Sequence, residues 1–114
     1  MAFALRASWR AAALLAAVAL LPIPSAQAVG SGTRHTVAMD GTRFEPEVLT
    51  VRRGDTVVWV NRDPVPHTAT ARSGAFDSGS VEPGKSWKYR AGKAGTFDYF
   101  CAFHPTMKGV LKVE

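Results

Sequence analysis

From His35 to the last residue the chain offers no stretch of helical spacing, only short alternating or β-branched runs cut apart by Gly, Pro and Asp turns. Such a pattern points to an all-β domain. His35 to Met39 sets Val37 and Met39 against polar neighbours, and Asp40-Gly41 turns the chain. Glu47 to Val51 and Thr56 to Asn61 are two further runs separated by Arg52-Arg53-Gly54-Asp55, with Val57 and Trp59 on one face and Val58 and Val60 on the other. His67 to Arg72 alternates Thr with Ala and predicts another strand, while residues 73 to 84, rich in Ser and Gly, predict a loop closed by Glu82-Pro83-Gly84. Lys85 to Arg90 places Trp87 and Tyr89 on one face; Gly95 to Cys101 and Val110 to Val113 complete the set. Six to eight short strands at this spacing predict an antiparallel β-sandwich of two sheets, with Trp59, Trp87, Phe97, Tyr99 and Met39 as core. No internal repeat, Gly-rich phosphate loop or low-complexity tract interrupts it.

The N-terminal segment is of another kind. Arg6 and Arg10 precede the uncharged apolar run Ala11 to Leu21, then Pro22, Pro24 and the small-residue sequence Ala26-Gln27-Ala28. This reads as a signal peptide, residues 1–28, cleaved after Ala28. The apolar run falls well short of the roughly 20 residues needed to span a bilayer, which argues against a retained anchor. No twin arginine precedes it, and no cysteine near the cleavage point is available to carry a lipid. The expected product, residues 29–114, is exported to the periplasm or secreted, and has room for one small domain with no membrane span.

A single cysteine excludes an internal disulfide. In an oxidising compartment a lone thiol is exposed to oxidation unless something sequesters it, and a metal does so. The formal net charge of +5 includes Arg6 and Arg10, and the remaining basic residues are scattered, so they form a solvated rim and no nucleic-acid footprint.

The chemistry concentrates in Gly95 to Met107, where an aromatic strand runs into a loop bearing Cys101, His104 and Met107. Thiolate, imidazole and thioether together favour copper over magnesium or calcium, which prefer oxygen ligands. The second imidazole is assigned to His67, which follows the strand Thr56 to Val60 and a loop holding Pro64 and Pro66. His35 lacks a ligand neighbour and reads as an ordinary strand histidine. Two imidazoles and a thiolate with a weak axial thioether make the electron-transfer type of copper site. Pro66 and Pro105 stiffen the backbone beside each histidine.

Phe44-Glu45-Pro46-Glu47, Gly54-Asp55-Thr56-Val57-Val58-Trp59-Val60-Asn61-Arg62, Pro66-His67, Pro83-Gly84 and Gly95-Thr96-Phe97-Asp98-Tyr99-Phe100-Cys101 carry a further reading, together with the close spacing of Cys101, His104 and Met107. On these residues the chain, from about Val37 to Glu114, resembles the cupredoxins, small blue-copper proteins with a Greek-key β-sandwich. Among them it is most similar to the amicyanins. The resemblance implies one type 1 copper bound by His67, Cys101 and His104 with Met107 axial. It also implies redox-protein partners, such as a dehydrogenase and a c-type cytochrome. One departure stands out: amicyanins and plastocyanins have Pro two residues after the ligand Cys, and this chain has Phe103. Phe103 keeps a backbone N–H, so two donors to the Cys101 sulfur are expected, from Thr68 and from Phe103.

The expected function is a soluble, monomeric electron carrier cycling between Cu(I) and Cu(II). A periplasmic copper chaperone or store is the alternative. It fits less well, because such sites favour Met and His clusters open to exchange and only Met39 and Met107 follow Ala28. An enzyme is not expected, since no second ligand cluster supplies an additional metal centre.

Overall fold

The structure, a computed structural model, describes residues 3–4, 12–23 and 32–114. Arg6, Arg10 and the expected cleavage sequence Ala26-Gln27-Ala28 lie outside the described residues. Among the described residues no helix is long and apolar enough to cross a membrane.

Among the described residues eight strands form, seven of them on the alternating runs: β1 Arg34–Asp40, β2 Arg43–Glu45, β3 Val48–Val51, β4 Thr56–Asn61, β5 Thr70–Ala71, β6 Ser86–Arg90, β7 Gly95–Cys101 and β8 His104–Val113. They build two four-stranded sheets, in the orders β2-β1-β4-β6 and β3-β8-β7-β5. The expected two-sheet sandwich is present, with each sheet mixed: β1 pairs with β4 and β3 with β8 in parallel, and the other pairs are antiparallel.

Three assignments differ from the expectation by more than one residue at an end. The run His67 to Arg72 is strand only at Thr70–Ala71, because His67 instead makes an isolated bridge to Val81 and Thr70 one to Asp77. The last strand begins at His104 and not at Val110, since the segment after Cys101 folds straight back on β7. The three-residue β2 was not anticipated, being too short to show a period.

Inward positions of both sheets close one core that includes Val37, Met39, Phe44, Val57, Trp59, Tyr99, Leu111, Cys101 and Met107. Trp59 lies opposite Trp87 in register, their ring centroids 5.6 Å apart, and Tyr99 meets Trp59 edge-on at 5.5 Å. Edge-to-face aromatic pairs of this kind add about 0.5–1.5 kcal/mol each beyond the area they bury.

The sheets also decide where the loops emerge. Because β1 and β4 are parallel with Met39 opposite Asn61, the β1–β2 turn and the loop after β4 leave the sandwich at the same end. At the other end the buried carboxylate of Asp55 accepts the N–H groups of Thr33 (2.8 Å) and Arg52 (2.9 Å) and meets His35 Nε2 at 2.9 Å. The Arg52 amide above all, then His35, holds the Asp55 carboxyl below the usual carboxylate range. His35 is thus a structural partner of Asp55.

Candidate metal centre

Three of the four residues read as ligands come together at the end of the sandwich. A nitrogen of His67, the sulfur of Cys101 and a nitrogen of His104 all lie within 4.8 Å of one another. His67 and Cys101 are fully buried, and His104 is half-buried.

The local folding explains the meeting. Cys101 ends β7 and pairs directly with His104 across the two-residue turn Ala102-Phe103, with a register shift at Phe100/Cys101 that bends the strand end. His67 arrives on the loop after β4, which Asn61 shapes from inside. Asn61 is fully buried; its Nδ2 donates to the carbonyls of Val65 (2.8 Å) and Val81 (2.9 Å), and its Oδ1 accepts the Asp63 N–H at 2.9 Å. His67 then exchanges both backbone hydrogen bonds with Val81. A buried amide with its bonds satisfied holds a loop that has no ladder of its own.

The protonation pattern of His67 follows from its partners. Its Nε2 lies 2.7 Å from Asp63 Oδ2. An ionised carboxylate only accepts, so Nε2 carries a proton, and in the neutral ring it is Nδ1 that presents the lone pair. That Nδ1 lies 3.6 Å from Cys101 Sγ, and His104 Nδ1 lies 3.8 Å from the same sulfur. For a first-row ion with bonds of about 2.0 Å to nitrogen and about 2.3 Å to sulfur, as zinc makes, a trigonal plane would separate each nitrogen from the sulfur by about 3.7 Å. Both sulfur–nitrogen distances therefore match those around one ion, and the thiolate with two imidazoles is a donor set suited to copper.

Asp63 was missed by sequence reasoning. Beyond His67, its Oδ1 accepts the Gly41 N–H at 2.7 Å and its Oδ2 the Thr42 N–H at 2.8 Å. Burial opposes its ionisation, but the Thr42 amide, His67 and the Gly41 amide outweigh that and hold its carboxyl below the usual range. The carboxylate thus fastens the first histidine to the β1–β2 turn, where Thr42 sits at φ 58°, a left-handed conformation costly for a β-branched residue. The available signal was an acidic residue four positions before a ligand histidine in a proline-rich loop.

Among the described residues the sulfur has one backbone donor. Thr68 N–H points to Cys101 Sγ at 3.4 Å, as expected. The second donor expected from Phe103 is not among its partners: Phe103 occupies the corner of the tight turn and is 51% exposed. The neighbouring amide, that of Ala102, is taken by Thr68 Oγ1 at 2.8 Å. Met107, the fourth residue, is buried on the inward face of β8 in the same core cluster as Cys101.

Comparison with known proteins agrees with this geometry. Residues 11–113 match the family described as Cupredoxin-like domain, and the chain belongs to that family. It is similar to amicyanin of Paracoccus denitrificans, 31% identical over 95% of this chain and 88% of that one. It is also similar to amicyanin-alpha of Methylorubrum extorquens, 32% identical over 95% and 92%. Plastocyanin of Scenedesmus fuscus is 34% identical over 62% of this chain and 86% of that one. Among solved structures, a methionine-to-alanine variant of amicyanin with Cu(I) superposes with a TM-score of 0.67 at 29% identity, over 71% of this chain and 82% of that chain. A Cu-containing nitrite reductase from Thermus scotoductus shares the fold at a TM-score of 0.67 and 30% identity, but the match spans only 22% of that larger chain.

Proposed function

We propose that this chain is an exported electron carrier that holds one type 1 copper ion through His67, Cys101 and His104, with the Met107 thioether as the weak axial ligand. The observation that carries the reading is the pair of sulfur–nitrogen distances, 3.6 and 3.8 Å, in a buried pocket whose imidazole tautomer is set by Asp63. Similarity to amicyanins and a plastocyanin supports it. The bound ion supplies a one-electron couple. The protein supplies ligands acceptable to both oxidation states and backbone constraints that keep them in place: the Asn61 amide, the Asp63 carboxylate and the direct pairing of Cys101 with His104. Little rearrangement then accompanies each electron. Complete burial of His67 and Cys101 favours this role over a copper chaperone or store, which needs ligands open to exchange. Export rests on the N-terminal segment, residues 1–28, with the domain in residues 29–114.

Electrons should enter and leave at His104. Its chain neighbours Ala102, Phe103 and Pro105 are at the surface, Phe103 51% exposed, and so are Pro64 and Val65, the latter 40% exposed, on the loop that leads to His67. A small apolar patch suits brief encounters with redox proteins of the dehydrogenase and cytochrome kind. Val65→Asp tests this. The visible spectrum should hold while electron self-exchange slows by about tenfold, since a carboxylate desolvated in an apolar contact costs more than about 1 kcal/mol. An unchanged self-exchange rate would place the electron exit elsewhere.

A further inference from the structure

The tie between Thr68 Oγ1 and the Ala102 amide joins the two segments that bear the ligands, because Thr68 follows His67 and Ala102 follows Cys101. That hydroxyl does not end the chain of hydrogen bonds. Thr68 Oγ1 lies 2.9 Å from Thr70 Oγ1, and Thr70 Oγ1 donates to Asp77 Oδ1 at 3.2 Å. Asp77 is exposed, on the loop that runs antiparallel to residues 67–71, and its Oδ1 also accepts the Gly79 N–H at 3.0 Å.

The direction of every proton in this series is forced. The Ala102 N–H only donates, so Thr68 Oγ1 accepts there. The ionised Asp77 carboxylate only accepts, so the Thr70 hydroxyl gives its single proton to it. Thr68 must therefore donate to Thr70. Each hydroxyl accepts on one side and donates on the other, the arrangement in which successive hydrogen bonds polarise and strengthen one another, by perhaps 10–30% per bond. A hydroxyl that donates toward an anion is a better acceptor for the amide behind it.

We propose that Thr70 and Asp77 are positioning residues for the metal centre: through the Thr68 hydroxyl they set the strength of the tie that holds the His67 and Cys101 segments together. Neither side chain hydrogen-bonds to a candidate ligand, and their action is a relay from an exposed carboxylate to the amide beside the buried thiol. The consequence for copper rests on the metal-centre reading above; the relay itself does not.

Amide hydrogen exchange in the full chain tests it, first without metal and then with diamagnetic Cu(I). Thr70→Val keeps the shape of the side chain and removes the hydroxyl, so the Ala102 amide should exchange about three- to tenfold faster relative to the Asn61 amide, the range expected when a hydrogen bond worth roughly 1 kcal/mol is weakened or lost. The Asn61 amide, at the end of β4 in the other sheet and bonded to the Lys85 carbonyl just before β6, reports any global loss of stability. Thr70→Ser restores the hydroxyl and should restore protection. Asp77→Ala, at an exposed position that does not endanger folding, should accelerate Ala102 exchange in the same direction. Release of copper(II) to a chelator should quicken in Thr70→Val and Asp77→Ala, and Thr70→Ser should match the wild type. Unchanged Ala102 exchange in Thr70→Val, or in Asp77→Ala if the valine variant does not fold, would overturn the relay. Faster exchange with unchanged copper release would overturn its positioning role. Failure of the wild-type chain to take up copper would refute the metal-centre reading alone, because the metal-free exchange data would still decide the relay.

Discussion

Asp63→Ala should weaken copper binding by about 10- to 100-fold, the range seen when a partner behind a metal-ligating histidine is removed. The alanine leaves the His67 imidazole, fully buried, with no acceptor for its Nε2 proton. The neutral ring can then carry its proton on Nδ1 instead, which blocks the nitrogen that faces Cys101. The same substitution releases the Gly41 and Thr42 amides, and with them the left-handed Thr42. Asp63→Asn should fall between. A carboxamide has one oxygen and one NH2 group, so it cannot accept at both positions: if its oxygen serves Thr42 and His67, its NH2 group opposes the Gly41 N–H. Competitive copper titration of the three proteins checks the order. Wild-type affinity in Asp63→Ala would mean that the Asn61-shaped loop alone positions His67.

Gly109→Ala should destabilise the domain by about 3 kcal/mol, at the upper end of what overpacking a core costs. Gly109 faces Tyr99 across the β7–β8 pair, and a Cβ there would stand 2.3 Å from Tyr99 Cζ and 2.5 Å from its hydroxyl oxygen. The ring cannot retreat. It is 1% exposed and is met edge-on by Phe44 at 4.6 Å and by Trp59 at 5.5 Å. Removing the hydroxyl with Tyr99→Phe would not relieve the clash, because Cζ is the nearest atom. For a domain of this size the Tm of the metal-free protein should fall by more than about 10 °C. A fall of less than about 2 °C would show that β8 can shift away from the ring.

Much of the fold was legible because strand periodicity is a local property. Thr56–Asn61 and Gly95–Cys101 have the boundaries that their alternation predicts, and the core aromatics Trp59, Phe97 and Tyr99 are where that alternation puts them. Pairing direction is not local. Nothing in Val48 to Val51 says that its neighbour will be the last strand, running parallel. The start of β8 was hidden because Pro105 and Gly109 break the appearance of a strand, whereas the direct pairing of Cys101 with His104 decides it.

The metal centre divides in the same way. Cys101, His104 and Met107 were read from their spacing, and His67 from donor chemistry and its place after a strand. The structure brings the two histidines and the cysteine together. The groups that orient them were not legible. The backbone N–H of Thr68 was expected, but Asp63, Asn61, Thr70 and the Thr68 hydroxyl belong to small polar residues of the kind that fill any loop, and only their hydrogen bonds distinguish them. The expected Phe103 donor was absent for a related reason: having an N–H where relatives have proline makes a bond possible, but the turn geometry determines whether the sulfur receives it.

The visible absorption spectrum of the copper-loaded protein, with metal content measured beside it, tests the central claim most directly. A thiolate deprotonated by the ion is required for an intense thiolate-to-copper charge-transfer band. The wild-type chain should bind one copper and be blue when oxidised, and Cys101→Ser should lose the band entirely. A colourless copper-loaded wild type, or a Cys101→Ser protein that stays blue, would contradict the account.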